Sequence, residues 1–145
     1  MTLELNLRIA GALLLLLATA HVFFPKELGW KEDLAKLTLL NRQIFLVHVG
    51  FIMLILVLFG VLALGFAADL VAPSRLAAAV LGGLTLFWGL RLITQQFIYD
   101  RALWRGNRRN TILHILASLL WLYLTAVFGW GWWRQMAAFI SADRT

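Results

Sequence analysis

The chain alternates long apolar blocks with short polar stretches, and four of these blocks predict its architecture. They cover residues 7–24, 41–66, 76–98 and 111–128. Each approaches or exceeds the roughly 20 mostly apolar residues that a helix needs to cross a bilayer core. A soluble amphipathic helix would space its apolar residues at the helical period, whereas here they run together. The expected fold is all-α, an integral membrane protein built as an antiparallel four-helix transmembrane bundle. The helices should run up-down-up-down because the connections are too short for other arrangements, and a length of 145 residues suits one transmembrane domain over residues 1–145.

The stretches between the blocks carry their own signals. Pro25 should stop the first helix, since proline cannot continue the hydrogen-bond ladder. Residues 26–36 mix charges with Leu28, Trp30 and Leu34, the pattern of a short helix lying at the interface. Residues 67–74 read as a loop closed by Pro73, and residues 99–110 as an irregular, strongly basic loop. Beyond residue 128, Trp130, Trp132 and Trp133 suggest an aromatic belt at the opposite interface, followed by a short tail. Ala78, Gly82, Thr85 and Gly89 recur at spacings that let a neighbouring backbone approach closely. Gly50, Gly60 and Gly65 are candidates for the same role on the second span.

Composition agrees with this pattern. Hydrophobic residues make up 62% of the chain and charged residues 14%, against roughly 45–50% and 25% in soluble domains. Mean hydropathy is +0.84. The first block lacks a short basic leader and a small-residue cleavage pattern, so it is expected to be a retained helix and not a signal peptide. The net charge of +6 resides mainly in short connections and marks topology, not nucleic-acid binding. Lys26, Lys31, Lys36, Arg42, Arg101, Arg105, Arg108 and Arg109 lie on one side, against Arg8, Arg75, Arg134 and Arg144 on the other. The expected location is a bacterial inner membrane, and that bias places connections 25–41 and 99–110 in the cytoplasm and both termini outside.

The candidate chemistry is the small set of polar residues inside the blocks. There is no cysteine, which excludes disulfides, thiolate metal sites and thiol redox chemistry. No carboxylate lies inside a block, and Glu27, Glu32, Asp33, Asp69 and Asp100 sit at the rims, which argues against carboxylate-bridged di-iron chemistry and against calcium or magnesium sites. His21, His48 and His114 come from different helices. At about 1.5 Å rise per residue they fall in one layer roughly 6–9 Å inside the cytoplasmic boundary. They could be three separate interfacial residues. If they share a site, neutral imidazoles suit iron, copper or zinc, or two of them could ligate haem iron axially.

Arg91, Gln95 and Tyr99 are spaced to stack on one helical face, and Trp88 extends it. Asn110, His114, Ser118 and Trp121 form a similar seam on the fourth helix. Arg91 could snorkel toward the interface or hold an anion. The leading expectation is a three-histidine site for a transition metal or haem, with Arg91, Gln95 and Tyr99 around it or holding an anionic or quinone-like ligand. A redox reaction on a lipophilic substrate would fit. The alternative is a non-catalytic lipid-binding or accessory subunit of a larger membrane complex or homo-oligomer. A transporter fits less well, because no file of polar residues crosses the membrane.

Overall fold

The computed structural model describes residues 2–142. Among these, the regular structure is helical: α1 (Leu3–His21), α2 (Phe24–Glu27), α3 (Trp30–Ala35), α4 (Leu39–Gly65), α5 (Ala67–Val71), α6 (Arg75–Phe97), a 3₁₀ turn (Arg101–Leu103) and α7 (Arg108–Ala142). Four of them, α1, α4, α6 and α7, are long and apolar enough to cross a membrane. Leucine, isoleucine, valine and phenylalanine side chains stand exposed along α4, α6 and α7.

Local chemistry explains where the helices begin and end. α1 stops at His21, earlier than expected, because the ring of Pro25 would collide with the carbonyl four residues before it. Pro25 instead opens α2 in its first turn, where its missing N–H costs nothing. Gly29 separates α2 from α3 with φ at +66°, a left-handed conformation that glycine adopts without strain. The Thr38 hydroxyl accepts from Asn41 N (3.4 Å) and starts α4. The Ser74 hydroxyl accepts from Ala77 N (3.0 Å) and starts α6.

The chain divides into two compact units, residues 8–66 and residues 67 onward with the first seven. In the first unit, α1 and α4 run antiparallel and touch backbone to backbone. A Cβ at Gly11 would lie 2.5 Å from Leu64 N and 2.7 Å from Gly60 O, and one at Gly60 would lie 2.8 Å from the Leu15 side chain. Arg8 Nη1 donates to Leu64 O at 3.1 Å. Gly60 therefore does the packing anticipated for it, while Gly50 and Gly65 have nothing within 4 Å.

The second unit is built on an antiparallel α6/α7 hairpin. Its small residues mate as their spacing suggested: Gly89 faces Thr125, Thr85 faces Gly129, and Gly82 lies against the Trp132 indole. Leu81 packs on Gly131. These contacts also explain why α7 runs to Ala142 instead of ending near residue 128. A helical glycine costs about 1 kcal/mol, but Gly131 admits the Leu81 side chain, which would lie 3.2 Å from a Cβ there, while a Cβ at Gly129 would meet Thr85 at an ordinary 3.5 Å. Trp132 is thus part of this seam as well as a residue of the aromatic stretch.

One buried side chain locks the start of the hairpin. Gln135, only 3% exposed, donates from Nε2 to Leu70 O (2.9 Å) and Ala72 O (2.9 Å). Its Oε1 accepts from Ser74 N at 3.0 Å. It satisfies the C-terminal carbonyls of α5 and the connection into α6. Three turns earlier on α7, Tyr123 Oη donates to Asn6 Oδ1 (3.2 Å), tying the start of α1 to α7.

Candidate functional site

The polar residues of α6 and α7 meet at the end of the hairpin next to the basic loop. Arg91 Nη1 donates to Gln95 Oε1 at 3.2 Å, and Gln95 Nε2 lies 2.9 Å from His114 Nδ1. The order of donors in this chain is fixed. A guanidinium can only donate, so the Gln95 carbonyl oxygen must face Arg91 and its amide NH₂ must face His114. His114 Nδ1 therefore accepts, and the proton of the neutral ring sits on Nε2. Gln95, 7% exposed, is the buried link in this relay. A second bridge runs alongside it, with Gln96 Nε2 donating to Ser118 Oγ at 2.7 Å.

Aromatic rings enclose the relay. The Trp104 indole stacks on the His114 ring with centroids 4.0 Å apart and planes at 15°. Arg91 Cζ lies 4.9 Å from the Trp121 ring centroid and 5.7 Å from that of Tyr99, within cation–π range. Trp121 in turn stacks on Trp88 at 5.1 Å and 13°. The basic loop delivers Trp104. Asp100 Oδ1 accepts from Ala102 N (2.8 Å) to open the 3₁₀ turn. Asn110 Nδ2 donates to Leu103 O and the Thr111 hydroxyl donates to Trp104 O, both at 2.8 Å, folding the loop back on the first turn of α7.

Several donors here have no protein acceptor. The indole N–H groups of Trp88 and Trp121 are buried without a hydrogen-bond partner. Among the described residues of its unit, no carboxylate forms an ion pair with Arg91; its contacts are Gln95, Trp121 and Tyr99. The site is rich in donors and poor in acceptors.

Of the residues singled out in the sequence, Arg91, Gln95, Tyr99 and His114 are brought together here, with Trp88 and Trp121. His21 and His48 belong to the other unit. Each of those two rings places Nδ1 against the carbonyl four residues back on its own helix, Leu17 O at 2.8 Å and Ile44 O at 2.9 Å. A carbonyl can only accept, so in the neutral rings the proton is on Nδ1 and the Nε2 lone pair is free. This is the opposite tautomer to that of His114. Among the described residues, no group of three or more histidine or carboxylate side chains is gathered as a metal-binding set.

Sequence reasoning missed the covering role of Trp104 and the folding of its loop by Asn110 and Thr111. The available signal was Asn110-Thr111 at a helix start, where short polar side chains bond nearby backbone. No family model, curated protein or solved structure matches the chain.

Proposed function

We propose that the chain is a small integral membrane protein that binds a lipophilic molecule by an oxygen-bearing head, anionic or quinone-like, at the Arg91–His114 cluster. Its four long helices form an antiparallel bundle with the basic loops on the cytoplasmic side, the arrangement favoured by the charge bias. The observation that carries the reading is the excess of donors over acceptors. A buried donor left unpaired costs about 1–3 kcal/mol, and a cation within a span costs several more. An acceptor oxygen beside Arg91 offsets the cost of the cation. The relay through Gln95 fixes His114 as a donor from Nε2, and the half-buried Trp104 supplies flat apolar surface for a ring or chain.

The test is a fluorescence titration of the protein in mild detergent with a short-chain benzoquinone and with a brominated fatty acid, both of which quench tryptophan. Saturable quenching is expected. Loss of a charge-assisted hydrogen bond should weaken it roughly 10- to 100-fold in Arg91→Gln. Unsaturable quenching, or equal affinity in the variant, would refute the proposal.

A second reading has its own support. The free Nε2 lone pairs of His21 and His48 are in the state that ligates a transition metal or haem iron, with Nδ1–H held by a backbone carbonyl. His114 would join such a set only by giving up the hydrogen bond from Gln95, whether it ligated through Nδ1 or moved its proton there to free Nε2. Elemental analysis and visible spectra of tag-free protein test this reading. Near-stoichiometric iron, copper or zinc that is lost from His21→Phe and His48→Phe supports it, and metal-free protein from supplemented medium overturns it.

A further inference from the structure

A groove of about 640 Å³ lies in the first unit, between the α2–α3 connection and the first turns of α4. Its rim carries Lys26, Lys31 and Arg42, and its apolar wall includes Trp30, Leu34 and Leu46. Glu32 is the one carboxylate in the lining. The neighbouring cation Lys36 is already engaged, with Nζ 3.0 Å from Asp33 Oδ1. Among the described residues, no carboxylate lies within ion-pair distance of Lys26, Lys31 or Arg42. The groove is therefore net positive at its mouth. Its polarity is also directional: Arg42 and Leu46 are one helical turn apart on one face of α4, and Trp30 packs edge-on against Phe45 at 4.9 Å. Past that turn, Val47, Phe51 and Leu54 stand exposed along α4.

We infer that this groove binds one anionic glycerophospholipid. Lys26, Lys31 and Arg42 hold the phosphate, and an acyl chain runs down Leu46 along α4. Cations at one end and continuous apolar surface at the other match a lipid better than a soluble anion, which would use only the rim. The inference rests on the membrane insertion proposed above but not on the Arg91 cluster, so failure of either site leaves the other intact.

The test is native mass spectrometry of the full chain released from detergent, titrated separately with phosphatidylglycerol and phosphatidylcholine. One tightly bound phosphatidylglycerol is expected, insensitive to added inorganic phosphate. At about fivefold per cation, its affinity should fall roughly 100-fold in the combined variant Lys26→Gln, Lys31→Gln, Arg42→Gln. The charge-matched variant Arg101→Gln, Arg105→Gln, Arg108→Gln should retain it. Four results would each overturn the inference: equal binding of phosphatidylcholine, displacement by phosphate, retention in the first variant, or equal loss in the second. Apart from the half-buried Arg42, both variants change exposed side chains, and a matched unfolding midpoint verifies that each is folded.

Discussion

Replacing Gln95 with leucine removes two hydrogen bonds at once, the 3.2 Å bond from Arg91 and the 2.9 Å bond to His114. A hydrogen bond to a charged group contributes about 1.5–3 kcal/mol and one between neutral groups about 0.5–1.5 kcal/mol. Leucine recovers part of this by burying more apolar surface at a site that is 7% exposed, on the order of 1 kcal/mol. The expected net loss for Gln95→Leu is about 2–3 kcal/mol. His114→Phe keeps a ring against Trp104 but loses the acceptor, and should cost about 1–2 kcal/mol. Because the two residues share one bond, their effects should not add, and the double variant should show a coupling of about 1 kcal/mol. Reversible unfolding in mixed micelles, followed by tryptophan fluorescence, measures all four proteins of the cycle. Coupling within about 0.3 kcal/mol of zero would mean that the Gln95–His114 bond is absent and that the tautomer assigned to His114 has no basis.

Other substitutions probe the scaffold. A methyl group at Gly11 would meet backbone atoms at 2.5 and 2.7 Å, so Gly11→Ala should destabilise by about 1–3 kcal/mol through forced separation of α1 and α4. Gly65→Ala meets nothing and should be neutral or stabilising by about 0.5–1 kcal/mol; the same unfolding assay separates them, and equal effects would contradict the packing. Gln135→Leu strands the Leu70 and Ala72 carbonyls and Ser74 N, with an expected loss of about 2–4 kcal/mol. Faster amide hydrogen exchange at Ser74 and in the first turn of α6 should accompany it, and unchanged exchange there would count against the lock.

The helices were legible because apolar blocks of membrane-spanning length leave few alternatives. The α6 face was legible too: spacing of four places Arg91 and Gln95 in one row whatever the neighbours are, whereas Tyr99, expected in the same row, lies past the end of α6 and still meets Arg91. Facing α6, the seam of His114, Ser118 and Trp121 followed from the same periodicity. Pairing between helices was not legible, since one sequence fixes which residues share a face but not which face meets which. Gly11 shows this: it sits in a featureless run of leucine and alanine, and only the approach of Gly60 and Leu64 gives it a role. Gln135 looked like part of a tail because the glycine- and tryptophan-rich stretch before it resembles a helix end, when those glycines are contact points with α6. The relation among the three histidines depended on depth alone. Depth says nothing of tautomer, and their hydrogen bonds divide them into two chemically different kinds.

The most direct test of the ligand-binding account is a ¹⁵N-edited spectrum of the histidine side chains in detergent, recorded with and without the short-chain quinone. The account predicts an Nε2–H signal from His114, against Nδ1–H signals from His21 and His48, and a shift of the His114 signal on saturation that is lost in Arg91→Gln. An Nδ1–H tautomer at His114, or a His114 signal that ligand leaves unmoved, would contradict it.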